Sequence, residues 1–393
     1  MLRGNFRNLI NFYNKKWSTC FRVRHDTSQF MKRVLTTILI LIVSKTLNAQ
    51  QPLTFADTLL LKNQIPELGF AVISKDSIFE LRTLGYHRND TKNDQTKATL
   101  NDNFHLGSNT KAITGFVAAY LVETKKIKWT TKFFDLFPSW KKSSNPAYYD
   151  ITLAELLSHR AKIQPYTSGL EFQELPDFKG DKAQQRKQFA KYLLYEKPVK
   201  NTEKIYNYSN AGYSIASLML EKVSGLSWEQ LTKETMLKLL SVNIEFGFPN
   251  KLDPKQTYGH WIQNDSLKVV ESDVDYNLAL AEPAGDISMT LPDYAKFIQY
   301  NLKGLQGQDN VLKSTTYEYL HYGLTDYSIG WGNVNKSDKQ FSEHSGSAGT
   351  FFCYTLLDKK RNLAYIIIAN SATKQAQQGI FKLLDRLKQK YGS

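Results

Sequence analysis

Three short motifs in this chain carry residue types that could together activate a hydroxyl. Ser-x-x-Lys occurs at Ser108-Asn109-Thr110-Lys111, Ser139-Trp140-Lys141-Lys142 and Ser371-Ala372-Thr373-Lys374. Only Ser108 directly follows a glycine and opens a strongly apolar helical run. At a helix N-terminus the backbone N–H groups are unpaired and the dipole favours negative charge. A serine there can have its developing oxyanion held by its own N–H. A side chain three residues on lies about 60° around the helix, which puts Lys111 beside Ser108. A free hydroxyl is a poor nucleophile and needs a base within reach. A lysine that loses hydration in an apolar helix start loses basicity and can accept that proton. Taken alone, the motif fits an N-cap serine with an exposed lysine better.

Two further motifs change that reading. Tyr208-Ser209-Asn210 is the single Tyr-x-Asn of the chain and precedes a helical stretch from Tyr213. A phenol beside Lys111 could share the proton shuttle, as base in acylation and acid towards the leaving group, with Asn210 holding Lys111 or a substrate amide. His344-Ser345-Gly346-Ser347 precedes an apolar run near Phe351. Gly346 and Gly349 would let a substrate backbone approach an edge strand, and the Ser347 N–H could be a second oxyanion donor. His-x-Gly also occurs at His105 and His321, so position is what separates the three. The plain alternatives are an aromatic packing residue before a turn asparagine, and a turn of small residues with an incidental histidine.

The elements that must position these groups are legible as periodicities. Gly69–Ser74 and Ser77–Leu84 read as a β-hairpin around Lys75-Asp76, and Thr110–Thr124 as a helix with Ile113, Phe116, Val117, Tyr120 and Leu121 on one stripe. A middle section, about 125–330, mixes loops with helical stretches at 152–159, 183–195, 213–224, 227–240 and 291–303. Phe351–Leu357 and Leu363–Ala369 read as strands before a closing helix, Ala372–Tyr391. Strands at both ends with helices between predict an α/β fold whose antiparallel sheet is assembled from the two ends, with a mostly helical insertion beside it.

The formal charge of +14 invites a nucleic-acid reading, but its location removes the support. Residues 1–49 hold nine Lys/Arg and one acid, so they carry +8 and leave +6 for residues 50–393. No nucleic-acid partner is expected. Met31-Lys32-Arg33 followed by the apolar run Val34–Val43 and Leu47-Asn48-Ala49 resembles an export signal over about 31–49. Ten residues rise only about 15 Å as helix, too little for a hydrocarbon core of roughly 30 Å, so no stable span is expected after cleavage. Residues 1–30 read as an upstream extension, with either Met1 or Met31 as the start. The expected protein is therefore one domain over 50–393, exported to the periplasm or secreted. Past the signal only Cys353 remains, which excludes an internal disulfide and a thiolate metal cluster. No cofactor and no metal are expected.

In this order, Ser-x-x-Lys, Tyr-x-Asn and His-x-Gly resemble the signature of the serine β-lactamase and penicillin-binding-protein superfamily, with the tyrosine similar to class C β-lactamases and their esterase and D,D-peptidase relatives. Leu156-Leu157-Ser158-His159, Glu282-Pro283-Ala284-Gly285-Asp286, Tyr327-Ser328-Ile329-Gly330-Trp331 and Gly349-Thr350-Phe351 resemble further stretches of that family, over about residues 60–390. The resemblance implies a β-lactamase/transpeptidase-like fold. It makes Ser108 the nucleophile, Lys111 and Tyr208 the general bases, and Asn210, His344, Ser345, Gly346 and Ser347 the substrate-binding groups, with the N–H groups of Ser108 and Ser347 as oxyanion hole. A small-molecule or peptide substrate follows, peptidoglycan-derived ones included. Two departures stand out. His344 replaces the family's usual lysine and loses its fixed charge near pH 7, which favours an ester or D-amino-acid peptide over a carboxylate-bearing β-lactam. Arg160-Ala161-Lys162-Ile163 replaces a Ser/Thr-Ser-Gly-Ile/Leu stretch after His159, leaving a turn without its glycine. The rival expectation is a catalytically silent relative that binds peptides or cell-wall fragments in the same cleft; a hydrolase of another kind lacks a Gly-x-Ser-x-Gly or His-Glu-x-x-His anchor.

Overall fold

The chain's three most apolar strands, β1 (Glu67–Ile73), β10 (Phe352–Asp358) and β11 (Leu363–Ala369), are buried at every residue, as strands covered on both faces must be. In the computed structural model, which describes residues 53–200, 205–274, 278, 280–334 and 339–392, they form the middle of a six-stranded antiparallel sheet. Its order is β2 (Ile78–Gly85), β1, β11, β10, β9 (Phe341–Ser347) and β8 (Gly332–Val334). The sheet thus joins both ends of the described chain, as expected; the signal segment and extension fall outside the described residues. Small sheets add β3 (Asn103–His105), β7 (Ile287–Thr290) and β4 (Glu245–Phe246), and the hairpin β5 (His260–Gln263) with β6 (Ser266–Val269).

Strand alternation divides the apolar side chains into two cores. Leu68, Phe70, Val72, Tyr354, Leu356, Tyr365 and Ile367 face one side, where α1 (Phe55–Lys62) contributes Ala56 and Leu59. The last helix covers the same side with Ile380, Leu383, Leu384 and Leu387. That helix runs Lys374–Tyr391, two residues later than its apolar pattern suggests, because the Thr373 side chain caps it by accepting from the Ala376 N–H. Ala71, Ile73, Cys353, Leu357, Ile366 and Ile368 face the other side and merge with the helical part through Phe104, Phe116 and Phe297.

Within the helical part, α2 (Thr110–Glu123) is buried along nearly its whole length. The next helices that bear on the site are α3 (Leu153–Leu157), α4 (Lys182–Tyr195), α5 (Asn210–Ser224), α6 (Trp228–Leu240) and the single turn α7 (Glu282–Gly285). The sequence pattern starts α5 at Tyr213, whereas the structure starts it at Asn210. Ser209 caps it, with Oγ accepting from the Gly212 N–H at 2.9 Å. No helix among the described residues is long and apolar enough to cross a membrane.

Candidate active site

Ser108 lies in a short 3-10 turn, Gly107–Asn109, that runs straight into α2. Two glycines let the end of strand β9 press against that turn. Gly107 has φ +53°, and a Cβ there would sit 2.4 Å from the Ser347 nitrogen. A Cβ on Gly346 would sit 2.1 Å from the Leu106 carbonyl oxygen. No side chain larger than hydrogen fits either position, so the backbone of β9 at Ser347 abuts the backbone carrying Ser108. The sequence pattern makes His344–Ser347 a turn or strand edge; it is the end of a full strand, with His344 opposite Thr355 and Gly346 opposite Cys353. Ser345 and Ser347 point outward on it.

Lys111 has no solvent exposure. Its Nζ lies 3.1 Å from Ser108 Oγ, 2.7 Å from Asn210 Oδ1 and 2.8 Å from the Ala284 carbonyl oxygen. The Asn210 orientation is fixed because its Nδ2 donates to the Tyr166 carbonyl at 2.8 Å. Two of the three partners can therefore only accept. A neutral amine has two N–H bonds and one lone pair, so it satisfies both acceptors and turns the lone pair to the Ser108 hydroxyl. The rest of its surroundings are neutral: the rings of Tyr208 and Tyr213, with Nζ 4.7 and 5.4 Å from their centroids. Burial without a counter-charge holds the amine well below the ordinary lysine range.

Tyr208 enters from the segment just before α5, and its phenol lies beside the Ser108 hydroxyl. Burial raises that phenol above the usual tyrosine range, with the Ser108 contact opposing the rise. His159 packs 4.2 Å from the Tyr208 ring and 4.5 Å from Tyr327. Its Nδ1 accepts from the Ser209 N–H at 3.1 Å, which anchors the start of α5. The Tyr208, Ser209 and Asn210 side chains are thus aimed by one histidine and one helix cap.

His344 is buried and both ring nitrogens are taken. Nδ1 lies 2.7 Å from the Ser345 carbonyl, which can only accept, so it carries the proton and Nε2 accepts from the Tyr327 hydroxyl at 2.9 Å. Desolvation, then the nearby Lys111, pushes its pKa down to about 3. It presents no charge to a substrate. The unusual turn after His159 is also explained. Lys162, which stands where the family's glycine would, has φ +58°, a left-handed conformation that is costly for a side chain. Arg160 holds the turn by donating from NH1 to the Ser158 and Tyr327 carbonyls at 2.9 and 2.7 Å, and from NH2 to Thr325 at 2.6 Å.

Ser108, Lys111, Tyr208, Asn210, His344, Gly346 and Ser347 are therefore brought together, while Ser345 contributes its carbonyl to His344 and points its side chain away. Composition and spacing did not reveal the Ala284 carbonyl, since a backbone acceptor leaves no residue-type signal; the quoted Glu282–Asp286 stretch was its only trace.

The sheet joined from both ends, flanked by helices, with a serine at the start of a buried helix, defines the β-lactamase/transpeptidase-like serine-hydrolase fold. Among solved structures, the octameric penicillin-binding protein homologue from Pyrococcus abyssi matches with TM-score 0.66 and 18% identity over 85% of this chain and 76% of its own. The class C β-lactamase from Rhodobacter sphaeroides matches with TM-score 0.64 and 16% identity over 84% of this chain and 97% of its own. Protein flp of Staphylococcus aureus (strain MW2) is 24% identical over 82% of this chain, which spans 63% of the length of that relative. The Beta-lactamase family matches residues 30–386, and the chain belongs to that family.

Proposed function

We propose that the protein is an exported serine hydrolase that cleaves ester or amide bonds through an acyl-enzyme at Ser108. The observation that carries the reading is the buried, uncompensated Lys111 amine 3.1 Å from the Ser108 hydroxyl. In acylation Ser108 Oγ attacks the substrate carbonyl carbon as its proton passes to Lys111 Nζ. The N–H groups of Ser108 and Ser347 hold the oxyanion. Lys111 returns the proton through the Tyr208 phenol to the leaving group as the old ester or amide bond breaks. The raised phenol stays protonated at neutral pH, so lysine serves as the base and tyrosine as the acid. Water then attacks the acyl carbon and restores the Ser108 hydroxyl. A neutral His344 supports esters or D-amino-acid peptides, peptidoglycan-derived ones among them, over carboxylate-bearing β-lactams. A curated relative, unguisins hydrolase ungD' of Aspergillus campestris, 23% identical over 88% of this chain, supports hydrolysis as the reaction.

The test is intact-protein mass spectrometry after exposure of the purified chain to a fluorophosphonate and to a penicillin. A single adduct mapping to Ser108 and missing from Ser108→Ala is the expected result. No labelling of either protein removes the proposal in favour of a silent binding protein, and equal labelling of Ser108→Ala removes Ser108 as the nucleophile.

A further inference from the structure

Away from Ser108, three buried ligand-type side chains from separate segments converge. Glu67 begins β1, His87 follows β2, and Asp102 precedes β3. Their exposures are 0%, 5% and 4%, and one ligand atom from each lies within 4.8 Å of the other two. His87 Nε2 is 3.0 Å from Asp102 Oδ2. The Asp102 carboxylate and the Thr257 hydroxyl lie against Glu67. Yet neither Glu67 oxygen nor the Thr257 hydroxyl has a hydrogen-bond partner of acceptable geometry, and His87 Nε2 has only the Asp102 carboxylate beside it. Three such polar atoms in one dry spot are costly unless a proton shared with Asp102, or a group not belonging to the chain, satisfies them.

The backbone around the cluster is held as a ligand shell would need. Asn370 Oδ1 accepts from the Glu67 N–H at 2.7 Å, and its Nδ2 donates to the His87 and Tyr258 carbonyls at 3.1 and 3.0 Å. Asp102 is steadied by Thr99, whose backbone N–H and hydroxyl both donate to it.

We propose that Glu67, His87 and Asp102 bind one divalent first-row transition-metal ion, with the Thr257 hydroxyl as a further oxygen beside it. Two carboxylates supply the charge that neutralises such an ion. One imidazole favours Zn²⁺ and its neighbours over Mg²⁺ or Ca²⁺, which prefer oxygen alone. Bond lengths of about 2.0–2.2 Å place tetrahedral ligand atoms roughly 3.4 Å apart, so small rotations of these side chains suffice. The ion would tie β1 and the end of β2 to the strand leading into the Ser108 turn, a structural role independent of acyl transfer.

The experiment uses the mature chain purified without a polyhistidine tag, stripped with chelator, and titrated with Zn²⁺ in a calorimeter and in thermal melts. The expected result is binding of one equivalent and a rise in Tm of about 4 °C at saturation. Both should be lost in Glu67→Gln and His87→Phe, with fluorophosphonate labelling of Ser108 retained in each. Mg²⁺ at the same concentration should leave Tm unchanged. If wild-type protein takes up no Zn²⁺ and its melt does not move, the site is a proton shared between Glu67 and Asp102, and the proposal is wrong whether or not the variants fold. An equal Tm rise in wild type and Glu67→Gln also overturns it. Neither result bears on Ser108.

Discussion

Two fully buried basic side chains, Lys111 and Arg186, contact one short turn and are treated in opposite ways. Arg186 on α4 is surrounded by carboxylates. NH1 donates to Glu229 at 2.6 Å and to Glu282, and NH2 donates to Glu221 and Glu229 at 3.0 and 2.9 Å. Lys182 adds a second cation, 2.8 Å from Glu282. Although burial opposes it, these carboxylates drive the guanidinium further into its charged form. Burial lifts the Glu282 carboxyl to about 7 even with Arg186 and Lys182 beside it. Lys111, by contrast, has only neutral partners. The turn α7 joins the two: its Glu282 carboxylate is held by Arg186, its Pro283 carbonyl accepts from Thr114 Oγ1 at 2.8 Å, and its Ala284 carbonyl accepts from Lys111. Burial with counter-charges makes an inert brace, and burial without them makes a base. The brace fixes the carbonyl that keeps the base in place.

The comparison can be broken most severely at the base. Ser108→Ala and Lys111→Ala are each expected to lower kcat/KM for a short-chain nitrophenyl ester by about 10³-fold or more, with near-ultraviolet circular dichroism unchanged. A Lys111→Ala enzyme retaining a tenth of wild-type activity ends the argument for that amine. The brace comes next. Arg186→Met should destabilise the fold by about 3–5 kcal/mol in urea titration, because it strands buried carboxylates. Adding Glu282→Gln should recover part of that loss, and strict additivity of the two changes would mean that the ion cluster is not coupled.

A smaller effect of opposite sign separates the two basic side chains cleanly. Lys111 is depressed in the folded state, so between its folded value and about 10.4 the unfolded chain binds the extra proton and stability rises with pH. Lys111→Met should therefore stabilise the protein at pH 7, by roughly 0.5–2 kcal/mol, and flatten that rise. A destabilised Lys111→Met would show that the amine is charged and compensated after all. The smallest change is expected from His344→Lys, which should tighten binding of carboxylate-bearing β-lactams several-fold; unchanged or weaker affinity would undercut the role assigned to the missing charge.

Much of this arrangement was legible because it is local. The burial of β1, β10 and β11 shows as unbroken apolar runs, and α2 as a stripe through Ile113, Phe116 and Val117. Helix α1 is not legible in the sequence, because its eight residues are too few for a clear period and its Thr54–Asp57 capping box is a subtle signal. The full extent of strand β9 is not announced by its own residues, because Ser345, Gly346 and Ser347 are small and polar. It is held as a strand by pairing with β10, which depends on residues outside the strand itself.

By itself the sequence determined that a serine and a lysine share the entrance of a buried helix, that a tyrosine and an asparagine precede another, and that the sheet draws on both ends of the chain. These follow from spacing, since i, i+3 neighbours and alternating strands are properties of the backbone. Only the tertiary structure decided that Lys111 has no carboxylate beside it, that His344 spends both nitrogens on Ser345 and Tyr327, and that Glu67, His87 and Asp102 meet. The charge state of a buried group is set by everything packed around it, and those neighbours are distant in sequence, as the Ala284 carbonyl is from Lys111, 173 positions away.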